Sequence, residues 1–115
     1  DFKGTPIYSA PEIFKTQSYS KKSDIYAFAI ITYQILTGKN PFQNMLFFDI
    51  INRIMLGNFP VIPDVVPLAY KDLINRCWSL DPESRPDASD IVKELKENIS
   101  LKRSMKKNFL TMSII

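Results

Sequence analysis

The spacing of apolar residues predicts a chain built from helices. Ser23-Asp24 are helix-capping residue types, and Gly38 suits the left-handed position just past a helix end. Between them Ile25–Leu36 is apolar almost all round, with Thr32 and Gln34 as its polar interruptions. A helix of that kind is enclosed by other helices or by lipid, and this segment is too short to span a bilayer. The pattern therefore predicts a buried central helix. Its β-branched residues would also suit a strand, but the length and the caps at both ends favour the helix. A helical stripe at Phe47, Ile50, Ile51, Ile54 and Met55 predicts a second helix over about Met45–Leu56, stopped by Gly57. Tyr70, Leu73, Ile74, Cys77 and Trp78 repeat the spacing and predict a third, over about Leu68–Ser79.

Punctuation between these stripes sets the rest. Gly4, Pro6 and Pro11 make the first stretch irregular, and Pro11-Glu12-Ile13-Phe14 suits one helical turn with proline at its first position. Asn40-Pro41 ends the central segment, and Pro60, Pro63 and Pro67 impose an extended linker. Asp87, with Asp90 three residues on, predicts the start of a last helix whose buried stripe is Ile91, Val92, Leu95 and Ile99. The expected fold is all-α, with helices packed around one buried helix.

At 115 residues the chain has room for one domain with one core. It contains no histidine and one cysteine, Cys77, which excludes histidine general-base chemistry, Cys/His zinc sites and a disulfide framework. An unpaired cysteine points to a reducing compartment. The net charge of +3 misleads until it is divided. Lys102, Arg103, Lys106 and Lys107 face no acid in the last fifteen residues, so the remainder is slightly acidic and carries no footprint for nucleic acid. Leu101–Ile115 is therefore set apart as a basic tail. Its mixture of charged and apolar residues reads either as a solvated terminus or as an amphipathic segment for a membrane or partner.

The most informative stretch is Gly4-Thr5-Pro6-Ile7-Tyr8-Ser9-Ala10-Pro11-Glu12. It resembles the end of a protein-kinase activation segment, Gly-Thr-x-x-Tyr-x-Ala-Pro-Glu. Three further pieces follow in the family's order: Ser23-Asp24-Ile25-Tyr26-Ala27-Phe28-Ala29, Asn40-Pro41-Phe42, and Cys77-Trp78-Ser79-Leu80-Asp81-Pro82 with Arg85-Pro86. Ala29 stands where the family usually has glycine and Ala27 where it often has serine, so both positions stay small. The resemblance covers about residues 4–100 and implies the distal part of a kinase C-lobe.

What the resemblance implies can be carried to single positions. Glu12 and Arg85 match a buried ion pair tying the activation segment to the lobe, a task suited to arginine's planar fork. Asp24 matches the aspartate that holds the catalytic loop's backbone, although a plain capping role also accounts for an acid there. Ile31 and Ile35 match apolar anchors supporting that loop. Thr5, Pro6, Ile7 and Tyr8 match the threonine contact and the floor that receives substrate. Thr5 implies serine/threonine specificity, and the Cys-Trp and Asp-Pro-x-x-Arg-Pro phrasing leans to the tyrosine-kinase-like group.

Phosphoryl transfer from ATP needs a Gly-rich loop, a strand lysine, a catalytic Asp and Asn, and a metal-binding Asp. With glycine only at 4, 38 and 57 and no histidine, neither the loop nor a His-Arg-Asp segment can be written. ATP and Mg2+ are thus implied for a complete kinase and not for these residues, which are expected to be inactive alone. The expected partners are the N-terminal remainder of the kinase domain and a protein substrate, in the cytoplasm, with no transmembrane segment. The competing readings are a pseudokinase-like or helical protein-binding module, and a broken gene remnant.

Overall fold

The computed structural model describes residues 6–98, and every regular element among them is helical. Five α-helices follow a 3-10 turn at Pro6–Tyr8: α1 at Pro11–Thr16, α2 at Lys21–Thr37, α3 at Phe47–Leu56, α4 at Leu68–Cys77, and α5 over residues 88–98. A further 3-10 turn, Pro82–Ser84, precedes α5. Thr5, Ile99 and the 101–115 tail lie outside the described residues.

The longest helix begins earlier than its sequence pattern indicates. Ser20, in extended conformation, is the N-cap, and its hydroxyl accepts the Lys22 N–H at 3.2 Å. Ser23 closes the capping box by accepting the Ser20 N–H at 3.1 Å. Ser23-Asp24 therefore lies inside the first turn, three residues past the cap. At the other end Gly38 adopts φ 69° and returns its N–H to the Gln34 carbonyl at 2.8 Å. The neighbouring helices α3 and α4 start or stop within two residues of their expected bounds.

One side of α2 forms the centre of the core. Ile25, Tyr26, Ala29, Ile30 and Tyr33 are buried, and α4 packs along them with Leu73, Ile74 and Cys77. Burial pushes the Cys77 thiol up to about 11. The 3-10 turn at Pro6–Tyr8 sits against both α2 and α3, while α1 rests on α3. The Pro-spaced linker supplies Phe59, whose ring stacks on Trp78 with centroids 4.9 Å apart and tilts against Tyr26 at 6.3 Å. Arg76 ties α4 to α5 through Glu94 and braces itself on Asp72 at 3.1 Å.

Two apolar expectations are corrected here. The central helix is not enclosed all round, since Ile31 is 46% and Ile35 76% exposed. Its composition records a tolerance for burial on every side, but among the described residues no element covers that flank. In α5, Ile91 is buried and Leu95 packs on the core, whereas Val92 is half exposed. Val92 sits about 100° around the helix from Ile91, beyond the narrow stripe through which α5 packs.

Gly57 gives the first expected outcome. It ends α3 at φ 71°, and a Cβ there would lie 2.8 Å from Leu80 Cδ1, whereas one at Gly38 would meet nothing within 4 Å. Both alanine variants should lose roughly 1–2 kcal/mol to the left-handed backbone. Gly57→Ala should lose more, because Leu80 must also move. Urea melts of the two variants side by side check the order.

Candidate functional site

The site grows from two short segments held on α2. Pro6–Tyr8 coils into its turn with Pro6 and Ile7 buried, and the Tyr8 hydroxyl donates to Gln34 Oε1 on α2 at 2.9 Å. Pro11 then occupies the first position of α1, which places Glu12 in the opening turn. From the other end of the sequence, Asp81 caps the Pro82–Ser84 turn by accepting the Glu83 N–H at 3.0 Å. That turn delivers Arg85 to Glu12.

Arg85 is 2% exposed and its guanidinium makes four in-plane hydrogen bonds. Nη1 donates to Glu12 Oε2 at 2.8 Å and Nη2 to Glu12 Oε1 at 2.9 Å, the parallel fork that lysine cannot make. Nη1 also donates to the Lys22 carbonyl at 2.9 Å, and Nε to the Ser79 carbonyl at 2.9 Å. Lys22 answers in kind: its Nζ donates to the Arg85 carbonyl at 2.5 Å and pairs with Asp87 Oδ1 at 2.8 Å. Ser23 completes the cluster by donating its hydroxyl to Glu12 Oε2 at 2.9 Å. One pair thus joins α1, the first turn of α2 and the segment entering α5.

Electrostatics follow from these contacts. Burial alone would push the Glu12 carboxyl up, but the Arg85 fork and the Ser23 hydroxyl together hold it below the ordinary carboxylate range. Asp87 is held low by the Lys22 ammonium. Stability contributed by lowered carboxylates is complete above their unfolded values near about pH 4 and is lost as pH falls through the lowered folded values. Urea midpoints should therefore hold from about pH 7 down to the carboxylate range and then drop. Glu12→Gln should flatten part of that drop.

The remaining expected site residues are placed differently. Asp24, Ile31 and Ile35 are spaced by seven and four residues, so they share one face of α2, and that face is the open flank. Asp24 is exposed and accepts a hydrogen bond from the Tyr19 hydroxyl. Asp87 directly precedes α5 and its carbonyl accepts the Ile91 N–H at 3.1 Å, while its carboxylate serves Lys22. Lys22 and Ser23 escaped the sequence reading as members of the cluster. The Ser20-x-x-Ser23 capping spacing was the available signal for where α2 begins, and with it for which side chains face Glu12.

No glycine-rich loop exists in the sequence, and among the described residues no group of three or more His, Cys, Asp or Glu side chains comes together to hold a metal. Among the same residues no helix is long and apolar enough to cross a membrane. What the arrangement does chemically is fix an N-terminal segment, Pro6–Glu12, rigidly against a helical scaffold.

Comparison with known proteins gives that scaffold a family. The chain is 39% identical over 95 residues to the Dictyostelium discoideum protein named "Probable serine/threonine-protein kinase drkC", covering 80% of this chain and 12% of that one. It is 38% identical over 99 residues to the dual specificity protein kinase shkA of the same organism, covering 84% of this chain and 19% of shkA. The chain therefore spans less than a fifth of the length of either relative. The family profile described as protein tyrosine and serine/threonine kinase matches residues 3–95, and by that match this chain belongs to the protein kinase family.

Proposed function

We propose that the chain is the distal C-lobe part of a cytoplasmic serine/threonine kinase of the tyrosine-kinase-like group. On this reading the complete domain transfers the terminal phosphoryl group of ATP, with Mg2+, to serine or threonine of a protein substrate. Residues 1–100 supply its scaffold and substrate floor, and 101–115 are an appended basic tail. The observation that carries the reading is the bidentate Glu12–Arg85 pair, which ties down α1 directly after the Pro6–Tyr8 turn that sits on α2 and α3.

The roles divide by position. Thr5 contacts the catalytic loop, and Pro6, Ile7 and Tyr8 form the floor for the residue beside the phosphoacceptor. A floor must not yield under substrate, and the buried Pro6 and Ile7 with the Tyr8–Gln34 bond meet that need. Asp24, Ile31 and Ile35 receive the catalytic loop from the N-terminal remainder of the domain. Their shared, open face supports this role: a carboxylate and two isoleucines together offer an acceptor for backbone N–H groups and apolar cover.

Two measurements test the reading. Isothermal titration of this chain with Mg-ATP should show no binding, and measurable magnesium-dependent binding would contradict the division of labour. Reading the coding sequence before Asp1 should find the strand lysine, His-Arg-Asp and Asp-Phe-Gly. A preceding region with those positions replaced would favour a pseudokinase-like binding module instead.

A further inference from the structure

We infer that Tyr26 is a positioning residue for the Glu12–Arg85 pair, its ring face fixing the tilt of the Arg85 guanidinium that the in-plane hydrogen bonds leave free. The inference goes beyond the phosphotransfer reading, because it concerns how the pair is held and stands whichever substrate the whole protein takes.

Four hydrogen bonds fix Arg85 within the guanidinium plane: two to Glu12, one to Lys22 and one to Ser79. They constrain motion across that plane much less, and a buried cation also needs cover on its faces, where it cannot donate. The Arg85 Cζ lies 5.3 Å from the centroid of the Tyr26 ring, within the range of a cation–π contact. The ring cannot drift away from this place. Tyr26 is fully buried, Phe59 leans against it at 6.3 Å, and Phe59 is itself stacked on Trp78.

A second observation separates the ring from its hydroxyl. The Tyr26 hydroxyl is buried and has no hydrogen-bond partner among the described residues. A tyrosine held for its hydroxyl would have one, since leaving such a group unsatisfied is costly. The position therefore uses the aromatic face and tolerates the oxygen.

The test varies the ring's electronics at nearly constant shape. Tyr26→Phe keeps the face and removes the orphan oxygen, while 3,4,5-trifluorophenylalanine at position 26 keeps the shape and drains the face of its negative potential. The readouts on the full chain are Arg85 guanidinium rotation, from 15N exchange spectroscopy, and the Glu12 carboxyl titration, from 13C shifts. Tyr26→Phe should leave both as in the parent chain. The trifluorinated ring should speed guanidinium rotation about fivefold and move the Glu12 midpoint upward. Space-filling alone predicts identical behaviour for the two rings, and that result would overturn the inference. Slowed or quickened rotation in Tyr26→Phe itself would assign the role to the hydroxyl and overturn it equally.

Discussion

Arg85→Ala should destabilise the chain by about 3–5 kcal/mol, because it removes the partner of a largely buried carboxylate while that carboxylate stays in place. The loss reaches beyond Glu12. The Lys22 and Ser79 carbonyls each lose a donor, and the Tyr26 face loses its cation. Arg85→Lys keeps the charge but gives up the fork, so it should sit between the parent and Arg85→Ala. Arg53→Lys, on the exposed side of α3, is the matched control and should shift the urea midpoint little. A double replacement, Glu12→Leu with Arg85→Met, should lose much less than the summed single changes, since it leaves no unpaired buried charge. An Arg85→Lys effect equal to the Arg53→Lys effect would remove the pair from any structural role.

Trp78→Ala should cost about as much, roughly 3–5 kcal/mol, by a different mechanism. Trp78 is 2% exposed at the end of α4, stacked on Phe59 and tilted against Tyr33 at 5.9 Å. Its indole N–H donates to Asn75 Oδ1 at 3.2 Å, so no buried donor is left over. Truncation opens a cavity where α2, α4 and the linker meet, and the Pro60, Pro63 and Pro67 backbone cannot easily collapse into it. Trp78→Phe should recover a large part of the loss. Thermal melts of the two variants measure the difference, which should vanish only if the linker moves in to fill the space.

These two expectations show which parts of the molecule the sequence made legible. Helical spacing announced Leu73, Ile74, Cys77 and Trp78 as a buried face, and the face packs on α2. Local chemistry also exposed the stops at Gly38 and Gly57, whose positive φ angles favour glycine. The start of α2 was harder to see, because Ser20 and Ser23 are both capping types and only their reciprocal bonds decide which is the cap. The apolar flank of α2 was legible as chemistry but not as contact. Ile31 and Ile35 look like core in one dimension, and a pattern of side chains does not say whether a neighbour is there to meet them.

Long-range polar contacts followed a similar division. Glu12 and Arg85 stand 73 positions apart, and they were expected to meet on motif resemblance, since no periodicity links them. Lys22 carried no such signal. Its partners, the Arg85 carbonyl and Asp87, are set by the turn at Pro82–Ser84, which depends on the Asp81 cap. Backbone carbonyls as acceptors are invisible in a list of residue types, and three of this cluster's seven bonds use them.

The burial of Cys77 has a practical consequence. It is the sole thiol of the chain, has no exposed surface and keeps its proton well above neutrality. Alkylating reagents will therefore ignore the native form and label whatever opens, so the molecule carries its own gauge of conformational leakage without any added dye or tag.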